Sequence, residues 1–317
     1  KFKKVGLTAL AGSLVVTSAV AGEMSVSGSA SIGLKNTTKT AAGKSWTMGN
    51  QLTFSGSGEL DNGMNVSLSF VLDQADDSTT GLANSPFDSH SVTVSSDTLG
   101  TLVFSGEGGS SAQSAIDTTA AGDAWDNGSG ITAIRSSEAG NNSLLYTLPS
   151  LMDDLTIKGG YSPGGAGGPS ATSWSLHYTG VEGLSLDYAQ GDTETIGSEQ
   201  DHTTMKASYA YGSFTLGYSN TTSDYRTDAD GTDEEITSYN IAYTVSDDLS
   251  VSFGNEEIST EDAAIDEEVD KLNVSYTTGG VTLSATQYNA SSVGNSNTES
   301  SSTGDVERWA LSASFAF

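Results

Sequence analysis

The stretch KLNVSYTT, residues 271–278, puts Leu272, Val274 and Tyr276 on one parity and Asn273, Ser275 and Thr277 on the other. In an extended chain successive side chains point to opposite faces, so strict alternation reads as a strand with one apolar and one polar face. The same pattern recurs in MNVSLSFVLD, SWSLHYTG, FTLGYSN, LSVSFGN and VTLSATQYNA, and in the closing RWALSASFAF. Such segments fall near 23–35, 46–60, 64–73, 87–98, 101–107, 138–148, 155–162 and 170–179. They continue near 184–191, 201–211, 214–223, 234–245, 249–258, 268–278, 281–290 and 305–317.

The connections alternate too. Short turns occur at Asp61-Asn62-Gly63, Leu99-Gly100, Met152-Asp153-Asp154, Glu182-Gly183, Gly212-Ser213, Asp247-Asp248 and Gly279-Gly280. Long polar segments lie between them at 74–86, 108–137, 192–200, 224–233, 259–267 and 291–304. A soluble sandwich shares the period, but its inner face is apolar, whereas this polar row is Ser, Thr, Asn and Gly. The pattern therefore predicts an all-β fold: a 16-stranded antiparallel transmembrane β-barrel with short periplasmic turns and long extracellular loops. Its apolar row meets lipid and its polar row meets water. Tyr178, Tyr211, Tyr243 and Tyr276 each precede a short turn, where an aromatic girdle belongs. The last strand must pair with the first, because lipid tolerates no open edge.

The first residues, KFKKVGLTALAGSLVVTSAVAGE, read as a secretory signal: a basic start, an apolar run from Val5 to Val16, and small residues at Ala19 and Ala21. Residues 1–21 are expected to be removed, leaving 22–317 as the barrel. No later stretch is apolar enough for a membrane helix. The formal net charge is −28, and without Lys1, Lys3 and Lys4 nine basic residues face 40 acidic ones. That balance argues against nucleic acid as a partner.

LTFSGSGELDNGMNVSLSF near the start, DTLGTLVFSGEGG leading into the longest loop, and the terminal Phe317 together resemble the Gram-negative general porins, in particular the alphaproteobacterial, Rhodobacter-like type. The resemblance covers the whole chain after the leader. It implies an outer-membrane porin: a homotrimer of water-filled channels that pass small hydrophilic solutes and ions. It also implies a third loop folded inward as a constriction, here 108–137, and a terminal Phe317 read by the barrel-assembly machinery. The chain departs from the enterobacterial pattern, since no Lys or Arg lies between Lys44 and Arg135 to form an arginine ladder.

A loop as long as 108–137 is usually functional. It carries Asp117, Asp123 and Asp126, and Glu107 falls on the inward parity at its root. Lys35, Lys158, Lys206, Lys271 and Arg308 also fall on inward parity, as charges must where lipid makes each cost about 2–4 kcal/mol at the midplane. Facing an acidic loop, they are expected to set a transverse field across a weakly cation-selective pore. Sixteen acids crowd 224–270, and its loops are candidate Ca2+ or Mg2+ sites that bridge to lipopolysaccharide phosphates, with no other cofactor expected. A secreted or surface calcium-binding adhesin-like β protein is the alternative, but its short fixed repeat is absent. His90, His177 and His202 accompany no nucleophile motif, so no enzyme is expected.

Overall fold

The computed structural model describes residues 22–37, 43–73, 87–127, 131–132, 134–137, 141–164, 170–194, 199–226, 232–261, 263–296 and 304–317. The expected leader, 1–21, and the 74–86 loop lie outside these residues. Sixteen strands pair with their chain neighbours, antiparallel throughout, and close into one barrel. They are β1 (Glu23–Thr37), β2 (Gly43–Glu59), β3 (Asn65–Asp73), β4 (Phe87–Ser96), β5 (Gly100–Glu107), β6 (Ser143–Thr147), β7 (Leu155–Ser162) and β8 (Ala171–Val181). The second half is β9 (Leu184–Thr193), β10 (Gln200–Tyr211), β11 (Phe214–Tyr225), β12 (Glu234–Ser246), β13 (Leu249–Thr260), β14 (Glu267–Thr278), β15 (Val281–Val293) and β16 (Gly304–Ala316).

The period-two pattern sets the two faces. Leu216, Phe253, Leu272 and Leu283 are exposed on the outer surface, while their polar sequence neighbours turn to the lumen. Tyr211, Tyr243 and Tyr276 are exposed at the short-turn end, and Tyr243 lies against Phe214 with ring centroids 4.7 Å apart. Such pairs add about 0.5–1.5 kcal/mol beyond burial.

The seam between β1 and β16 runs from Ser29↔Ala316 to Thr37↔Arg308. Phe317 extends it by two backbone bonds: its N–H donates to the Gly28 carbonyl at 2.9 Å and its carbonyl accepts from the Gly28 N–H at 2.7 Å. Its ring lies over Gly28. A Cβ there would come within 2.5 Å of the ring and 2.9 Å of Leu52 Cδ2, so only glycine leaves the space.

Strand boundaries differ from the sequence reading mainly at the long-loop ends. β1 continues to Thr37 and β2 begins at Gly43, while β11 and β13 run two residues further than expected. There the polarity of the side chains had read as loop. The ladder continues because the added residues of β13 still pair with β12, Ser259 opposite Glu235 and Thr260 opposite Glu234. β6 is shorter than expected, starting at Ser143 instead of 138. Asn142 takes φ 60°, and its N–H reaches the Gly106 carbonyl at 3.3 Å, so the chain is still turning there.

Gly28→Val should block the seat of the Phe317 ring and sharply lower the fraction of chain that runs as a folded, heat-modifiable barrel on unheated gels. Ala30→Val, two residues along the same outer row, should leave that fraction unchanged.

Candidate functional site

After β5 the chain turns into the barrel. The described residues of 108–137, hereafter the inner loop, lie along the inside of the wall from β8 to β14 and back to β12. Its outward leg hangs on side chains of the inward rows. The Ala112 N–H donates to Ser173 Oγ on β8 at 2.8 Å, and Gln113 Nε2 to Thr204 Oγ1 on β10 at 3.0 Å. The Ala120 N–H donates to Ser219 Oγ on β11 at 2.8 Å, and the Ala121 N–H to Ser238 Oγ on β12 at 3.0 Å. Each of these N–H groups would cost about 1–3 kcal/mol if buried without a partner.

Two carboxylates finish the attachment. Glu256 on β13 is fully buried, and its Oε1 accepts the Ala124 N–H at 3.0 Å and the Thr119 hydroxyl. Its Oε2 accepts the Trp125 N–H at 2.7 Å. Glu267 on β14, also fully buried, accepts the Thr132 N–H at 2.7 Å and the Gly294 N–H at 2.7 Å, joining the returning leg to the end of β15. Arg135 Nη1 then pairs with Glu234 Oε1 on β12 at 2.8 Å. Hydrogen bonds to charged groups contribute about 1.5–3 kcal/mol each, so the loop tip is held firmly.

Beneath these bonds lies an apolar seat. Ile236, Ile258, Val269, Ala290 and Val306 are buried on the inward rows of β12–β16, and Ala121, Ala124, Trp125, Ile131 and Ile134 of the loop cover them. Each aliphatic side chain buried this way contributes about 1.5–3 kcal/mol. Close approach also needs missing side chains: a Cβ at Gly254 would stand 2.5 Å from Ala121 Cβ, and one at Gly191 2.5 Å from Ser137 Oγ.

The acids expected at the constriction divide. Asp126 is exposed to the lumen on the short 3-10 turn Ala124–Asn127. Asp123, at φ 49°, folds back so that its Oδ1 accepts the Thr119 N–H at 2.9 Å and its own N–H donates to Thr119 Oγ1 at 2.7 Å. Asp117 is half-buried. Burial pushes its carboxyl up to about 6; the Ser136 hydrogen bond opposes this, nearby Asp123 adds to it and Lys206 counters it. Glu107 is a correction. A bulge pairs it with His90, on the row of outward-facing Val92, with Oε2 3.8 Å from Nδ1. The extra residue, Gly106, breaks the parity that had placed Glu107 inward.

The basic residues do face inward, but the transverse arrangement is not what the barrel builds. Lys206 Nζ donates to the Thr118 carbonyl at 2.5 Å, and Lys271 Nζ to the Ala121 and Gly122 carbonyls at 2.8 and 3.0 Å. Both stand on the loop's own wall, beneath it. Lys271 and Arg308 flank the Tyr288 ring at 5.9 and 5.8 Å from its centroid, and Lys35 lies diagonally across the seam from Arg308. Lys158 is on β7, level with Ser175 of β8. The wall that faces the inner loop, β1–β5, carries no charge at inward positions 25–33, 45–57, 67–71, 89–95 and 101–105.

Sequence reasoning missed Glu256, Glu267 and the apolar seat. A signal existed: Ile236, Ile258, Val269 and Val306 break the polar rule on inward parity at the loop ends of neighbouring strands. His177 Nδ1 also meets Asp187 Oδ1 at 2.7 Å on the inward rows of β8 and β9. The loop 224–235 lies partly outside the described residues, and among the described residues no three His, Asp or Glu side chains gather for a metal ion.

The family model described as Gram-negative porin matches residues 6–277. No protein with a curated description matches the chain in sequence. Solved structures share the fold at low identity. The outer membrane protein OmpT of Vibrio cholerae is 16% identical with a TM-score of 0.70, covering 95% of this chain and 99% of that one. An anion-selective porin from Comamonas acidovorans is 15% identical with a TM-score of 0.68, covering 93% and 100%. The outer membrane channel DcaP of Acinetobacter baumannii is 10% identical with a TM-score of 0.71, covering 93% and 97%. Likeness at this level carries the fold and not the ion preference.

Glu256→Ala should free the tip of the inner loop. The Ala124 and Trp125 amides, slow to exchange hydrogen in the parent, should exchange at least about tenfold faster, in line with losing one charged acceptor. Glu256→Gln, which keeps one acceptor oxygen, should fall between, and strand amides of β13 should not change.

Proposed function

The chain belongs to the Gram-negative porin family, and we propose that it passes small hydrophilic solutes and ions with a weak preference for cations, as a homotrimer. It is an outer-membrane β-barrel channel. The observation that carries the cation preference is the asymmetry of charge across the lumen. The inner loop carries Asp126 exposed and Asp117 half-buried, and the middle of the wall across from it is uncharged, with Lys35 and Asp73 only at the long-loop ends of β1 and β3. Lys206 and Lys271 are held against loop carbonyls on the loop's own wall, while the Lys271–Arg308–Lys35 flank keeps the preference weak. At about 0.15 M salt, charges beyond roughly 8 Å are screened, so the acids of the outer loops contribute less than those at the narrow section.

The trimer rests on the family and on one OmpT structure from Vibrio cholerae described as a trimer form. Phe317, seated at the closing seam, suits recognition by the barrel-assembly machinery. Lipopolysaccharide, bridged by Ca2+ or Mg2+, is the partner proposed for the acidic long-loop end. A calcium-binding adhesin has no need of a closed barrel with an occupied lumen.

In planar bilayers under a salt gradient, the wild type should show a reversal potential on the cation side that shrinks as salt rises. Asp117→Asn with Asp126→Asn should move it toward zero or beyond. Because the Asp117 carboxyl is raised to about 6, its negative charge is present above that pH and lost below it. Cation preference should therefore weaken as pH falls through about 6, and Asp117→Asn should remove that step. An anion-selective wild type at low salt would overturn the charge reading.

A further inference from the structure

Serine hydroxyls serve two different purposes on the two walls. On the loop's wall, Ser173, Ser219 and Ser238 accept loop N–H groups. On the opposite wall one unbroken row of partners crosses five strand pairs: Ser25↔Ser55, Ser55↔Ser69, Ser69↔Ser91, Ser91↔Ser105 and Ser105↔Ser143. Among the described residues, no protein group bonds the hydroxyls of Ser25, Ser55, Ser69, Ser91 or Ser105. These groups face the lumen as free donors and acceptors.

The row also has a direction. Ser25 lies near the short-turn end of β1, and Ser143 opens β6 at the root of the inner loop. With strands about 4.8 Å apart, the row is about 24 Å long, and strands tilted near 40° make it climb about 15 Å along the pore. Each hydroxyl can both donate and accept. No charge lies within this row, and the inward charges of β1 and β3, Lys35 and Asp73, stand at the long-loop ends of their strands.

We propose that this row is a hydroxyl track that selects neutral polyhydroxylated solutes, sugars and polyols, for passage. The proposal rests on the channel reading and adds the solute class to it. A polyol meeting the track exchanges water hydrogen bonds for serine ones and is handed on at spacings its own hydroxyls match. Each contact is neutral and weak, so no site traps the solute, as multi-site conduction requires. A solute of equal size with few hydroxyls can accept bonds from the wall at its ether oxygens but has few donors to give back, and gains less from it.

The test uses the full chain in liposomes, with uptake of a pentose compared with triethylene glycol of the same mass, both at concentrations where flux is linear. The wild type should pass the pentose faster. Ser55→Ala, Ser69→Ala and Ser91→Ala combined should lower pentose flux by about fivefold, the scale of one lost hydrogen bond, with triethylene glycol flux and ion current unchanged. Restoring hydroxyls as threonine at the same three positions should recover the pentose preference. If the triple variant fails to assemble, Ser69→Ala alone should lower the flux ratio by about twofold. Equal fluxes of the two solutes in the wild type, or equal effects of the variant on both, would overturn the track and make the serines mere spacers, while normal ion current would leave the channel reading standing. Absence of ion current in the wild type would instead remove the channel reading itself.

Discussion

In hydrocarbon no water is available to bond a peptide group, so each strand of this chain must find a partner on both sides. Closure of β1 on β16 meets that requirement, and the rest of the structure depends on it. Once the sheet is closed, its outside must be apolar and its inside is free to be wet. The seam itself runs on to Phe317, which bonds Gly28 in both directions and whose ring fills the space that Gly28 lacks a side chain to occupy. An aromatic on the lipid row thus extends both the ladder and the outer surface at the seam.

Closure leaves a wide lumen, and the inner loop decides how it is used. Its attachment consumes polar groups on one half of the wall: serine hydroxyls for backbone N–H groups, Glu256 and Glu267 for the tip and the return, lysine ammonium groups for carbonyls. Buried carboxylates are tolerable there because each gathers several donors. The opposite half keeps its hydroxyls, and its inward rows are free of charge except at their ends, where Lys35 and Asp73 stand. The result is a pore whose two sides differ in kind, with acidic groups on the loop and neutral hydroxyls across from it, and no strong field between them.

This arrangement also explains why inward-facing lysine is not the same as a lysine that acts on solutes. Lys206 and Lys271 face inward because lipid excludes charge, and then find the loop's carbonyls before they find the water path. A mobile ion still feels their charge, but at the loop's flank and not across the eyelet. Tyr288, held between Lys271 and Arg308, makes that flank a fixed element of the wall.

The sixteen strands, their faces, the order of short turns and long loops, and the closing role of the last strand were all legible in the sequence. They follow from local alternation and from the demand of lipid for an apolar row and a closed ladder, and both act on each strand separately. Glu107 was misplaced because a single bulge at Gly106 reverses parity, and nothing in the one-dimensional pattern marks a bulge. Glu256 and Glu267 were indistinguishable from the solvated acids around them, since what buries them is a loop more than a hundred residues earlier in the chain. The serine row was visible as scattered serines, but its continuity depends on five separate registers. The sequence by itself determined which residues meet lipid and which meet water. Only the tertiary structure decided which of the inward groups the inner loop covers and which stay open to the pore, because that choice depends on contacts between segments far apart in the chain.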